Sequence, residues 1–444
     1  MKQIMITAMH SGAGKTVITC SLLAALKKRG MDVHAFKCGP DYIDPMFHTG
    51  ILGIPSRNLD LFLQGRDAVR SAVALHGGEI AVLEGAMGYY DGLNGTDEAS
   101  AFALADVLSC PAVLVVRPQG SMLTLAAQIR GLAAFRSESH LAGILLNGCR
   151  ESLAGSLTPV LERETGLPVL GFLPPMEEAV LESRHLGLLT AGEINNLTAR
   201  FEVLSAQMER TMDLDALLDL ASPCLAEKPE KKKAARACTI AVAKDEAFCF
   251  CYADSLEALE NDGAELVFFS PLRDHILPEG IGGLYLCGGY PELYAARLSE
   301  NTAMRQSICS AVSGGLPTVA ECGGFLYLQQ MLENEGKESF PMCGCLPGTG
   351  FQTKSLQRFG YEWLTAEEDS LLSRKGEKIP AHEFHYWDST ENGSDLRVMK
   401  PNGKTWRCGY TSKSLYAAFP HLHLGGELPL AERFAEACIG YAHG

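Results

Sequence analysis

Between Ile4 and Leu173, short apolar runs alternate with amphipathic stretches. The runs IMIT, DVHAFK, IAVLEG, AVLVV, GILLN and VLGFLP are rich in Val, Ile and Leu, the pattern of strands buried on both faces. Between the first two lies TVITCSLLAALKKRG, which reads as a helix that stops at Lys-Lys-Arg-Gly. Repeated β–α alternation predicts a parallel sheet covered on both faces. The pattern breaks at 222–236, SPCLAEKPEKKKAAR, which is charged, carries two prolines and has no apolar period. It resumes with CTIAVAKD, AELVFFSP, GLYLCGG and PTVAECGG. The expectation is two α/β domains, 1–221 and 237–444, joined by a linker over 222–236.

Length agrees, since 444 residues suit two domains of about 200 residues each. A net charge of −15 argues against nucleic acid or an anionic membrane as the main partner. No apolar run approaches the roughly 20 residues that span a bilayer. The start, MKQIMITAMHSGAGKT, runs into a strand and loop without a cleavage site, so a cytoplasmic protein is expected. In that setting the odd count of fifteen cysteines favours reduced thiols over a disulfide framework. The pairs Cys249/Cys251 and Cys343/Cys345 lack the C-x-x-C spacing of common zinc sites. They read as small buried residues.

Ser11-Gly12-Ala13-Gly14-Lys15-Thr16 lies between the first strand and the first helix. Glycines let backbone N–H groups close around phosphate oxygens, and the helix N-terminus favours their charge. Lys15 would reach the β- and γ-phosphates, and the Thr16 hydroxyl would ligate Mg²⁺. Met9 stands where G-x-x-x-x-G-K-T has its first glycine, so this is a variant loop. Lys37, Asp41 and Asp44 follow the second strand, and Glu84 and Asp91 the third of these runs. Open α/β sheets bind ligands beyond the carboxyl ends of their strands. Lys37 suits a phosphate or a substrate carboxylate there, and the acids suit Mg²⁺.

In the second half, PTVAECGGFLYL sets Cys322 between a buried strand and a helix, a cysteine version of the nucleophile elbow. The helix N-terminus should help lower the thiol pKa, and a base is required. His421 and His423 alternate in FPHLHL, so in an extended segment one of them can face the cysteine. Backbone N–H groups of Gly288, Gly289 and Gly323 could meet a developing oxyanion.

Several long motifs resemble one family across nearly the whole chain. They are GPDYIDPMFHTG, RNLDLFL, LEGAMGYYDG, SRHLGLL, KDEAFCFCYADSLEALE, AELVFFSPLRD, GGYPELYA, AECGGFLYL, HEFHY and PHLHL. Together they resemble the cobyrinic acid (or hydrogenobyrinic acid) a,c-diamide synthases. That resemblance implies an N-terminal P-loop, dethiobiotin-synthetase-like parallel-sheet domain and a C-terminal class I-like glutamine amidotransferase α/β domain. It implies ATP as co-substrate with Mg²⁺, phosphorylation of the a and c carboxylates of a cobyrinic acid-type tetrapyrrole, and displacement by ammonia from glutamine. By position, Cys322 resembles the glutaminase nucleophile and His421 its base, with Gly289 and Gly323 at the oxyanion. His423 stands where triad amidotransferases have an orienting Glu. Thr16, Asp41 and Glu84 resemble the metal and phosphate set, Lys37, Asp44 and Asp91 the acceptor site, and Asn147 a contact to the nucleotide base.

The chain departs from the family at Ala8, Arg117, Cys287 and Phe419-Pro420, none of them a reacting group. The nickel-sirohydrochlorin a,c-diamide synthases perform the same chemistry on another macrocycle, and these motifs do not separate the two. A P-loop ATPase switch, the reading of a different class, leaves Cys322, His421 and the second domain without a role. Neither the oligomeric state, with a homodimer one alternative, nor ATP against GTP can be read from these residues.

Overall fold

The structure, a computed structural model, describes residues 1–118, 120–180, 191–229 and 234–443. The motif SRHLGLL lies outside them. The chain divides into two compact units, Met1–Pro229 and Glu230–Gly444, a division that falls within the segment expected to link them.

In the first unit, β1 (Lys2–Ala8), β2 (Val33–Cys38), β3 (Ser56–Leu59), β4 (Ile80–Glu84), β5 (Ala112–Val116), β6 (Leu141–Asn147) and β7 (Val169–Leu173) lie in the order β3-β2-β4-β1-β5-β6-β7. Every neighbouring pair along that order is parallel. The apolar runs are continuous because both faces are covered. Ile4, Ile6 and Ala8 of β1 enter one core with Leu22 and Leu23, while Met5 enters the other with Leu83. Two strands escaped the pattern. β3 is short and carries Arg57 and Asn58, and Ser222–Pro223, inside the expected linker, pairs antiparallel with β1. Among the described residues no helix is long and apolar enough to cross a membrane.

The helix α1 (Lys15–Lys28) begins at Gly14, whose φ of 94° is a left-handed conformation that glycine adopts at little cost. It stops where the Lys-Lys-Arg-Gly signal set it: Gly30, at φ 82°, donates its N–H to the Lys27 carbonyl. The phosphate loop therefore sits at the carboxyl end of the central strand β1, between β4 and β5.

The second unit holds a six-stranded sheet in the order Ala264–Phe269, Cys238–Ala243, Gly283–Leu286, Thr318–Glu321, Leu415–Ala418, Tyr410–Thr411. The first five are parallel. A second, largely antiparallel sheet is built on the hairpin Thr349–Ala366 and Lys378–Ser389. The chain passes from the first sheet to the second at Phe419-Pro420, because His421–Leu422 pairs with Ala381–His382. Pro420 costs no strand pairing at this crossing, and its carbonyl accepts from the Tyr416 hydroxyl at 3.1 Å.

Candidate active sites

Register builds the first site. Lys37 lies opposite Glu84 where β2 pairs with β4, and both side chains are buried. Lys37 Nζ donates to Glu84 Oε1 at 3.1 Å, pairs closely with Asp44, and lies 3.9 Å from Asp41 Oδ2. The Thr16 hydroxyl donates to Glu84 Oε1 at 2.7 Å and lies 3.5 Å from Asp44 Oδ2. His48 Nε2 approaches the other Glu84 oxygen at 3.3 Å. Asp41 instead accepts from the Ile43 N–H at 2.8 Å and so shapes the turn into the helix Ile43–Gly50.

Burial alone would raise the Glu84 carboxyl, yet Lys37, His48 and Thr16 outweigh it and hold it well below the usual range. Burial likewise works to lower Lys37, and Glu84, Asp44 and Asp41 keep its ammonium above the ordinary value. Asp44 is pushed the opposite way from Glu84, upward, by burial and by Glu84 itself. One ammonium thus faces three carboxylates, an arrangement a divalent cation would relieve. Lys15 is pushed down to about 8 by burial and then by Lys37, and its ammonium leans on the Met87 and His10 carbonyls. An anion beside it would restore the charged form.

Asn147, at the end of β6, donates its amide to the Ala13 carbonyl at 2.8 Å. A Cβ on Gly14 would fall 2.0 Å from the same amide, so the loop needs glycine there for packing as well as for φ. Asp91 accepts from the Gly88 N–H at 3.1 Å and closes its own loop. Arg117 lies beside Gly148, where an added Cβ would meet its Nε at 3.3 Å.

The second site is an elbow. Cys322 has φ 48° and ψ −102°, a conformation that costs a non-glycine residue of order 1–3 kcal/mol and clusters at functional sites. Its N–H donates to the Ala418 carbonyl at 2.9 Å, which joins the cysteine turn to the strand leading to His421. Gly324 is obligatory, because a Cβ there would lie 2.1 Å from the Leu286 carbonyl oxygen. A Cβ on Gly323 would lie 3.1 Å from the Gly289 nitrogen, so the two glycines read as oxyanion donors adjoin.

The two histidines part. His421 rests its ring edge on Gly288 and stacks on His382 at 4.9 Å and 13°. His423 lies against Tyr252 at 4.9 Å with the rings tilted by 32°, and neither of its ring nitrogens has a hydrogen-bond partner. Burial, with His385 adding to it and Glu383 opposing, pushes His421 down to about 3. The thiol departs from expectation. The Gly323 N–H at the helix start does lower it, but burial first, then Glu292 and Glu383, raise it far more. Both shifts favour the neutral forms, a thiol at Cys322 and an imidazole at His421.

Sequence reasoning missed Glu321. This fully buried carboxylate accepts from the Leu422 N–H at 3.0 Å and the Tyr285 hydroxyl at 3.1 Å, and lies 3.9 Å from His421 Nδ1. It stands next to Cys322 in the sequence, and an acid closing an apolar strand was the available signal. A buried charge network beneath HEFHY was missed too. Arg358 donates to Glu383 at 2.9 Å and to both oxygens of Asp388, and His385 Nε2 meets Glu383 at 2.6 Å.

Two domain families match this chain, one after the other. Residues 4–188 match the CobQ/CobB/MinD/ParA nucleotide binding domain, and residues 239–428 match the CobB/CobQ-like glutamine amidotransferase domain. Over its length the chain is 40% identical to the cobyrinate a,c-diamide synthase of Clostridium acetobutylicum, covering 96% of this chain and 98% of that protein. The chain belongs to the cobyrinate a,c-diamide synthase family. The same-named protein of Clostridium tetani is 38% identical over 98% of this chain and 100% of its own length. That of Caldanaerobacter subterraneus subsp. tengcongensis is 37% identical, with 98% of each chain covered. Family membership makes this chain a glutamine- and ATP-dependent amide-forming ligase of cobalamin synthesis. The phosphate loop and the cysteine elbow fall one in each matched domain.

Proposed function

We propose that Cys322 and His421 release ammonia from glutamine, and that the phosphate-loop site activates the a and c side-chain carboxylates of cobyrinic or hydrogenobyrinic acid as acyl phosphates. The observation that carries this reading is the pairing, in one chain, of a strained cysteine elbow with the Thr16–Lys37–Asp44–Glu84 cluster. Cys322 attacks the glutamine amide carbon while His421 takes the thiol proton and returns it to the departing ammonia. The N–H groups of Gly289 and Gly323 face the developing oxyanion, and water then hydrolyses the thioester to glutamate.

In the other unit, a substrate carboxylate oxygen attacks the γ-phosphorus of ATP and ADP leaves. Ammonia attacks the acyl carbon, phosphate leaves, and an amide remains. Lys15 and the loop N–H groups hold the phosphates, with Asn147 near the base. Lys37, Asp41 and Asp91 serve the acceptor side. Thr16, Glu84 and Asp44 offer the hard oxygens that Mg²⁺ prefers, and the metal would neutralise phosphate charge there. Asp44 lies 3.5 Å from the Thr16 hydroxyl, so we assign it to the metal, and Asp41, which accepts from the Ile43 N–H, to shaping the loop and balancing Lys37. The enzyme works in the cytoplasm.

The test follows cobyrinic acid by mass with ATP and glutamine. Two successive losses of about one mass unit are expected, and Cys322→Ala should cut glutamine-dependent product about a thousandfold or more while ammonia still supports it. A Cys322→Ala enzyme that keeps its use of glutamine refutes the assignment. No product from cobyrinic acid, with glutaminase activity intact, would move the acceptor to the sirohydrochlorin type.

A further inference from the structure

The stack on His382 and the seat on Gly288 fix the plane of the His421 ring. A stack does not distinguish the two nitrogen-bearing edges within that plane. Something must set which nitrogen faces the thiol, and in a triad this is a carboxylate accepting from the far nitrogen. His423 occupies the position after His421 from which such an acid would be expected, yet its ring is turned onto Tyr252. Buried Glu383 also acts on His421, but the acid with an oxygen within 4 Å of His421 Nδ1 comes from the opposite direction. Glu321 directly precedes the nucleophile, and its Oε2 lies 3.9 Å from His421 Nδ1. The other oxygen is held by the N–H of Leu422, the residue after His421, at 3.0 Å. The Tyr285 hydroxyl anchors Oε2 at 3.1 Å.

We propose that Glu321 is the positioning residue for His421, supplying from the nucleophile's own strand the orienting carboxylate that the segment after His421 lacks. The inference rests on the reading of Cys322 as nucleophile and His421 as base. Nδ1–H of His421 faces Glu321 Oε2, which leaves Nε2 to take the Cys322 proton. When that proton arrives the imidazolium forms beside the carboxyl, and the 3.9 Å separation shortens to a hydrogen bond, as catalytic contacts of ligand-free sites commonly do. The backbone bond to Leu422 makes the coupling two-fold. One carboxylate holds both the base's ring and the chain that carries it, directly against the residue that bears the thiol.

The experiment compares Glu321→Gln and Glu321→Asp in the full chain, measuring glutamine hydrolysis and ammonia-dependent amide synthesis. Glu321→Gln keeps an acceptor for Leu422 and loses the group that can ionise opposite the imidazolium. Its kcat for glutamine should fall about 30- to 300-fold, less than an ideal triad acid would cost because the resting contact is long. KM for glutamine should stay within about threefold and ammonia-dependent synthesis within about twofold, a split that loss of structure would not produce. Glu321→Asp keeps an ionisable carboxyl one methylene farther back and should fall between wild type and Glu321→Gln. A Glu321→Gln enzyme whose kcat stays within threefold overturns the proposal. So does a parallel loss of ammonia-dependent synthesis in both variants, which would make the residue merely structural. Cys322→Ala measured alongside separates the layers: if it still uses glutamine, the reading of the site fails, and if it does not while Glu321→Gln does, only this inference fails.

Discussion

Replacing Gly288 by Ala adds a single methyl group against the ring of His421. Its Cβ would lie 2.4 Å from His421 Cε1, with Nδ1 at 3.3 Å and Nε2 at 3.4 Å. Ordinary contact begins near 3.4 Å, so the ring must retreat by about 1 Å. The atom struck lies between the two nitrogens, so both move with it. Gly288 does not sit in the left-handed region, and the backbone accepts alanine without strain. The effect is therefore steric and confined to the base. A misplacement of about 1 Å in a reacting group costs roughly a hundredfold in rate, and overpacking of this kind costs about 1–3 kcal/mol of stability. Gly288→Ala is expected to lower glutamine-dependent kcat about a hundredfold while ammonia-dependent synthesis changes little. Gly440→Ala, where an added Cβ meets nothing within 4 Å, should match wild type in both assays. A Gly288→Ala enzyme that hydrolyses glutamine within threefold of wild type, with unchanged stability, would refute the placement of His421 and the role built on it.

Glu84→Gln should abolish amide formation from glutamine and ammonia alike, by about a hundredfold or more, because Thr16 and Lys37 lose their charged acceptor; retained synthesis from ammonia would contradict this. Arg358→Met removes the guanidinium from Glu383 and Asp388, whose carboxyls burial would raise and which Arg358 helps to hold below their usual range, with His385 the larger contributor at Glu383. Breaking such a buried pair costs about 3–5 kcal/mol near neutral pH. Both folded values are depressed, so this stabilisation is present above the unfolded carboxylate range and is lost as pH falls through about 4 and below. The gap between wild type and variant should therefore narrow on acidification. Urea unfolding followed by tryptophan fluorescence reads this unit alone, since Trp363, Trp387 and Trp406 all lie in it, and a gap that widens at pH 4 would show the sign to be wrong.

The parallel sheets were legible because strands covered on both faces must be continuously apolar, as IMIT and AVLVV are. The long hairpin Thr349–Ala366 with Lys378–Ser389 was not, since it is not continuously apolar and carries Glu362, Glu383 and His385 buried, with Arg358 partly buried against them. Buried charge reads as surface in a sequence until its partner is known, and Arg358 and Asp388 are far apart in the chain. Cys322 and the phosphate loop announced themselves through glycines that tight backbone approaches require, at Gly324 and Gly14. Glu321 gave no such signal, because its meaning depends on Leu422, which only the pairing of Glu321 with Ala418 brings near.

The two sites solve opposite electrostatic problems with the same architectural device, the carboxyl end of a central parallel strand. At the phosphate loop, Lys37 and Glu84 are held as charges, with Lys15 and Asp44 beside them pushed toward their neutral forms; the ligands expected there, a nucleotide phosphate and a divalent cation, are themselves charged, and their arrival completes the balance. At the elbow, burial holds the thiol, His421 and Glu321 toward their neutral forms, with Glu321 pushed up to about 8. Glutamine presents a neutral amide to that site, and charge there is needed only while the thiolate, oxyanion and imidazolium exist. A neutral resting site with oriented donors stabilises those charges when they develop and leaves the cysteine a poor nucleophile otherwise. An enzyme arranged this way should be slow to react with simple alkylating agents at neutral pH. Cys322 should therefore be modified by iodoacetamide no faster than an ordinary buried thiol without glutamine analogues, and rapid modification, lost in Cys322→Ala, would show that the thiolate is already formed in the resting enzyme.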